Sequence, residues 1–304
     1  MSYDIIGDIH GHRSVLERLF ATLGYRYTDG VYRHETRQVV FVGDFIDRGP
    51  DQRGVVDIAR AMIEAGTALA VMGNHELNAI GYVTKDPETG EWLREHSDKN
   101  EKQHRVFLDA YPFGSAEHLE LIDWFRTLPL WLDLGEFRVV HACWDASELE
   151  FLESNVADTH LPEGFCSGER KFDAIETLLK GPEIELPAGM SFLDKDGIRR
   201  TDTRIRWWVE QPESAEDFCM VPKGALEGLR WDPHATVDWA KYGQDACPVF
   251  FGHYWFDDER PEPLTHNVAC LDYSVVRQGG KLVAYRWDGR STLAAENFVW
   301  VEND

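Results

Sequence analysis

Gly43-Asp44-Phe45-Ile46-Asp47-Arg48-Gly49 follows directly on the apolar run Gln38-Val42. Read together they are a short buried strand that delivers two carboxylates and a guanidinium to a glycine-flanked turn. Three further segments share the design: Gly7-Asp8-Ile9-His10-Gly11 after Tyr3-Ile6, Gly73-Asn74-His75-Glu76 after Leu69-Met72, and Gly252-His253 after Pro248-Phe251. Val139-Val140 leads into His141 in the same way. Polar groups at the ends of five apolar strands are poor candidates for surface decoration. They predict a site at the carboxyl edge of a sheet, where open α/β folds place their ligands.

Between these segments the chain alternates strand and helix. Arg13-Leu23 carries Val15, Leu16, Leu19 and Phe20 on one helical face, and Val55-Ala65 forms a second helix before the third motif. Thr84 to Lys102 is polar and reads as an exposed excursion around the turn Asp86-Pro87-Glu88-Thr89-Gly90, leading to helices near Glu101-Ala110 and Glu117-Arg126. Strand patterning returns at Val249, Val268-Leu271, Leu282-Arg286 and Phe298-Val301. The expected organisation is one α/β domain over residues 1–304, with a helical and irregular insertion over about 146–246 capping the site. That insertion holds one clear helical run, Arg170-Leu179, stopped by Gly181-Pro182.

A chain of 304 residues is ample for a buried core. No apolar run approaches a membrane span, and Met1-Ser2-Tyr3-Asp4 enters a strand without a basic flank, so a cytoplasmic protein with no membrane partner is expected. Five scattered cysteines without a Cys-x-x-Cys pair fit reduced thiols, with Cys143 and Cys270 as small buried hydrophobes. The net charge of −23 disfavours duplex nucleic acid as a partner, while small phosphorylated molecules remain compatible with a locally positive metal pocket.

The motif residues suit a binuclear metal centre. Two dications close together need a shared anion, and Asp44 is the candidate bridge. Asp8 and His10 can complete one ion, and Asn74, His141 and His253 the other. Mixed oxygen and nitrogen donors suit manganese first, with iron, zinc, nickel or cobalt as alternatives. Such ions would lower the pKa of a bridging water. Arg48 offers a planar fork for phosphate oxygens. His75, charged and oriented by Asp47, is the candidate general acid. His12 reads as a helix-start surface residue, and His34, His96, His104, His118, His160, His234 and His266 read as solvated. Trp207-Trp208, Trp231 and Trp239 read as core or cap packing, ahead of a stacking platform for a base.

These motifs resemble those of metallophosphoesterases of the phosphoprotein phosphatase superfamily. The matching segments are Gly7-Asp8-Ile9-His10-Gly11, Gly43-Asp44 to Asp47-Arg48-Gly49, Gly73-Asn74-His75-Glu76, His141-Ala142 and Gly252-His253. The resemblance implies a calcineurin-like two-sheet β-sandwich flanked by helices. It also implies one metal on Asp8, His10 and Asp44 and a second on Asp44, Asn74, His141 and His253. The short motif loops are similar to bacterial members, in the style of diadenosine tetraphosphatases, Ser/Thr phosphatases and the phosphatase module of polynucleotide kinase-phosphatases. Eukaryotic relatives carry a second phosphate-binding arginine, whose surroundings have no close match here; Arg204 and Arg206 are the candidates. The expected activity is hydrolysis of phosphate esters or anhydrides by a metal-bridging hydroxide. The substrate would be a dinucleoside polyphosphate or a phosphomonoester, from a phosphorylated small molecule or nucleotide to a phosphoprotein. A metal-bound regulatory or binding protein without turnover and a metal-dependent nuclease are the competing classes.

Overall fold

The computed structural model describes residues 2–155, 159–161, 165, 169–193, 197, 199–226 and 241–304. Two sheets form its centre. In the first, Ser2–Ile6 runs parallel to Arg37–Phe41, which runs parallel to Ala68–Ala70. The other edge of Ser2–Ile6 pairs antiparallel with Lys281–Trp287, which also pairs with Asp272–Tyr273 and Phe298–Glu302. The second sheet orders Val268–Cys270, Val249–Phe251, Arg138–Val140 and Trp131–Asp133, with only the last strand antiparallel to its neighbour.

Strand alternation explains why the sheets stack. Ile5 and Val40 of the first sheet meet Val139, Phe250 and Ala269 of the second in one buried cluster. Their neighbours Ile6, Val39 and Phe41, and Val140, Val249, Phe251 and Cys270, point outward into a second cluster built with the helices. Each strand is therefore apolar on both faces, which is why the sequence shows continuous runs where a half-exposed strand would alternate. This is the expected α/β sandwich with flanking helices.

Helix Arg13–Leu23 buries Val15, Leu16, Leu19, Phe20 and Leu23 and ends at Gly24 in the left-handed region, φ 90°. Helix Gln52–Glu64 starts at Asp51, whose carboxylate accepts the Gly54 N–H. Asn74–Val83, Asp98–Ala110 and Ala116–Arg126 follow. In the 84–102 stretch Leu93 packs against the core and Arg94 is half buried, so this excursion is less exposed than its composition suggests.

Between His141 and His253, helices Ala146–Asn155 and Glu169–Lys180 and the pair Trp207 and Trp208 share the outer core of the second sheet. A smaller cluster gathers Leu186, Ile205, Ala215, Phe218, Cys219 and Leu226. Trp207 is fully buried and donates its indole N–H to the Ala142 carbonyl at 2.9 Å, so it packs and does not stack a ligand. Cys143 and Cys270 are buried as expected. Trp231, Trp239, His234 and Cys166 lie outside the described residues. Among the described residues no helix is long and apolar enough to cross a membrane.

Candidate metal and phosphate site

Ser2–Ile6, Arg37–Phe41 and Ala68–Ala70 of one sheet and Arg138–Val140 and Val249–Phe251 of the other lead into the segments that carry Asp8, His10, Asp44, Asp47, Arg48, Asn74, His75, His141 and His253. The backbone there is forced into unusual shapes. His10, Asp44, Asp47, Arg48 and His253 have φ between 46° and 69°, five of the eight such non-glycine residues among those described. Each such conformation costs roughly 1–3 kcal/mol, and such strain concentrates at functional sites.

Two glycines make room for the carboxylates. A Cβ on Gly252 would lie 1.9 Å from Asp8 Oδ1, and one on Gly73 would lie 2.2 Å from Asp44 Oδ1. Glu76, which has no assigned role in the sequence reading, anchors the loops. Its carboxylate accepts the backbone N–H groups of Asp44, Phe45 and Gly73, each at 2.9 Å. Glu76→Ala leaves three buried donors without partners, and each such loss costs about 1–3 kcal/mol. Denaturant unfolding should therefore show a loss of at least about 3 kcal/mol.

Asp44 is central. Its Oδ2 lies 3.5 Å from His10 Nε2 and its Oδ1 lies 3.4 Å from His141 Nε2. His10 and His141 donate their Nδ1 protons to the Ile46 and Val42 carbonyls, at 2.9 and 2.7 Å, which leaves each Nε2 facing inward. Asn74 Oδ1 lies 3.1 Å from His141 Nε2 and 2.7 Å from His253 Nδ1. Asp8 Oδ2 accepts the His253 N–H at 3.0 Å. Two clusters of donors result, His10 with Asp44 and His75, and Asp44 with His141 and His253.

The electrostatics are unbalanced without cations. Burial, aided by Asp272 nearby, pushes the Asp8 carboxyl well above the ordinary range. Burial likewise opposes the charge on Asp44, but His141, His75 and His10 hold it well below that range. His141 is driven down by burial and up by Asp44, and the carboxylate wins, raising it to about 10. Burial lowers His10 to about 3, and burial with Arg204 nearby holds His253 well below normal. Asp8 Oδ1, His10 Nε2 and His253 Nε2 are buried without a hydrogen-bond partner. Buried acceptors without partners are expensive, and at these three divalent cations would satisfy all of them. The residues present therefore fit a metal pair.

On the other side, His75 Nδ1 lies 2.6 Å from Asp47 Oδ2. Burial lowers the His75 pKa, but Asp44 and Asp47 outweigh it and raise it overall. The Arg48 guanidinium lies over the Trp255 ring, 4.3 Å from its centroid. Arg204 reaches Glu183 at 3.4 Å, and with Arg206 it lines a cavity that also borders Arg48. The structure thus gathers all of the predicted residues at one edge, with Arg204 and Arg206 on the cavity wall.

Two histidines depart from the expectation of solvation. His104 and His118 are buried, because helices Asp98–Ala110 and Ala116–Arg126 turn them inward against Phe107. His104 reaches Asp47 Oδ1 at 2.8 Å. Its one sequence signal was the spacing His104–Phe107, an i, i+3 pair on an otherwise polar helix.

A two-sheet sandwich with such donors at one edge is the architecture of a metallophosphoesterase. The family model for calcineurin-like phosphoesterases matches residues 1–188, and the chain belongs to that family. It is 45% identical over 143 residues to the asymmetrical bis(5'-nucleosyl)-tetraphosphatase PrpE of Oceanobacillus iheyensis, covering 47% of this chain and 55% of that protein. To the Bacillus subtilis protein of the same name it is 33% identical over 168 residues, covering 52% of this chain and 64% of the other. The chain thus spans about half to two thirds of the length of these relatives. The cold-active protein-tyrosine phosphatase of a psychrophilic Shewanella superposes with a TM-score of 0.50 at 17% identity, covering 95% of this chain and 78% of that one, a likeness of fold. His253 lies beyond the family match, and the second sheet brings it back to the site.

Proposed function

We propose that the protein is a metal-dependent phosphohydrolase acting on phosphoanhydrides, with dinucleoside polyphosphates as its preferred substrates. One observation carries this reading. A cavity of about 870 Å³ beside the metal site is lined by Arg48, Arg200, Arg204, Arg206 and Arg277, with the carboxylates of Glu183, Asp202 and Asp257 among them. In a chain with 54 acidic and 31 basic residues, five guanidinium groups against three carboxylates around one cavity are a local excess of positive charge that suits several phosphates in a row. Trp255 and Tyr254 add aromatic surface to the same wall. The relatives named as bis(5'-nucleosyl)-tetraphosphatases support the same substrate class.

In this reading Asp8, His10 and Asp44 would hold one ion, and Asp44, Asn74, His141 and His253 would hold the other. Bound divalent ions would supply Lewis-acid polarisation of the phosphate and activate water at neutral pH. Arg48, its plane set by Trp255, grips the phosphate oxygens. As a hydroxide oxygen bonds to phosphorus, the bond to the leaving oxygen breaks, and His75 Nε2 gives that oxygen its proton. Asp47 holds His75 by Nδ1 so that Nε2 faces the reaction.

The test compares kcat/KM for diadenosine tetraphosphate and p-nitrophenyl phosphate with manganese-loaded protein. The polyphosphate should be preferred. Arg277→Ala, which removes a guanidinium from the cavity wall, should lower only the polyphosphate value, by roughly 10- to 100-fold, the worth of one charge-assisted contact. A preference for the monoester, or an equal loss on both substrates, would contradict the assignment.

A further inference from the structure

Asp47 is gripped from two sides. Its Oδ2 takes His75 Nδ1 at 2.6 Å and its Oδ1 takes His104 Nδ1 at 2.8 Å, while its backbone N–H goes to Gln52 Oε1 at 2.6 Å. Asp47 and His104 are each 2% exposed, so solvent does not replace either bond. We infer that His104 is a positioning residue for the reaction, fixing the plane of the Asp47 carboxylate and thereby the aim of the His75 imidazole. The inference rests on the reading of His75 as the proton donor.

The geometry leaves the carboxylate little choice. An ionised carboxylate only accepts, and its two oxygens are each committed to one imidazole N–H. Burial alone would raise the Asp47 pKa, but the hydrogen bonds from His104 and His75 hold it below the usual range. With Nδ1 committed to Asp47, the His75 ring presents Nε2 to the site, 4.0 Å from Asp44 Oδ2. Without His104, Asp47 could rotate about its side-chain bond, and the His75 ring would follow it.

His104 itself is held by packing. Its ring stacks on Phe107 with centroids 4.6 Å apart and leans on Tyr82 at 5.3 Å. It comes from helix Asp98–Ala110, an element that carries none of the proposed metal ligands. It therefore acts on the proton donor through Asp47. Partners of this kind, one shell removed, are worth about 10- to 100-fold in activity where they have been removed from metal sites.

The leaving group exposes this role. Phenolate needs protonation as it departs, whereas p-nitrophenolate needs little, so loss of the proton donor's aim should show on phenyl phosphate and much less on p-nitrophenyl phosphate. With manganese-loaded full-length protein, His104→Leu should lower kcat on phenyl phosphate by roughly 10- to 100-fold. KM, bound metal and the rate on p-nitrophenyl phosphate should stay near their original values. His104→Asn, whose amide N–H can stand where Nδ1–H stands, should recover most of the loss, and His104→Gln should not. Equal losses on both substrates, loss of metal, or no loss on either would overturn the inference. If His104→Leu does not fold, the order of the Asn and Gln variants decides in the same way. His75→Ala measured in parallel separates the two claims. If it lacks the leaving-group effect, the proton-donor reading falls; if it has the effect and the His104 variants do not, the inference alone falls.

Discussion

Asp44→Asn should empty the metal site and lower phosphohydrolase turnover by about a thousandfold or more, since the metal pair is worth several kcal/mol and each 1.4 kcal/mol is tenfold. The physical reason is the position of this carboxylate between His10 Nε2 at 3.5 Å and His141 Nε2 at 3.4 Å. An amide there removes the negative charge shared by both proposed ions and points an N–H at one of them. The variant isolates charge from fold. Asp44 has φ 54°, a conformation that asparagine tolerates as well as any non-glycine residue. The loop is anchored through its backbone N–H to Glu76, which the substitution does not touch. Metal content by elemental analysis and unchanged circular dichroism would bear this out. Full metal occupancy with near-normal turnover would remove Asp44 from the centre of the mechanism.

His75→Ala should lower kcat by roughly a hundredfold to ten-thousandfold, the usual worth of a positioned general acid, while metal content is kept. The loss should deepen as the leaving group becomes more basic. His75 is close enough to His10 and Asp44 to join them around an ion, so the metal measurement matters as much as the rate. The hydrogen bond to Asp47 at 2.6 Å argues for the acid role, because it charges and orients the ring. Loss of metal with the histidine would reassign it as a ligand.

The strands and their terminal motifs were legible because they are apolar on both faces and most stop at a glycine that a side chain could not replace. Gly252 and Gly73 show this directly, since a Cβ on either would collide with Asp8 or Asp44. The antiparallel addition of Lys281–Trp287 beside Ser2–Ile6 was not legible, because strand pairing is decided by packing across the whole chain. His104 escaped notice for a similar reason. Its helix is polar along most of its length, and only docking against Asp47 and Tyr82 gives this histidine a buried partner from elsewhere in the chain. Glu76 was visible within its motif but not its task, since the three N–H groups it collects come from two separate loops. The arginine-lined cavity draws on residues from Arg48 to Arg277, a juxtaposition that no local pattern encodes.

On the proposed function, this edge of the sandwich would hold two divalent ions that drive phosphate hydrolysis. Protein stripped by exhaustive chelation should be titrated with manganese while bound metal and the initial rate on diadenosine tetraphosphate are followed together. The expected result is no turnover in the stripped protein, two ions bound per chain, and activity that returns as the second site fills. Full activity in the chelated protein, or two bound ions with no turnover on any phosphate ester or anhydride, would contradict it.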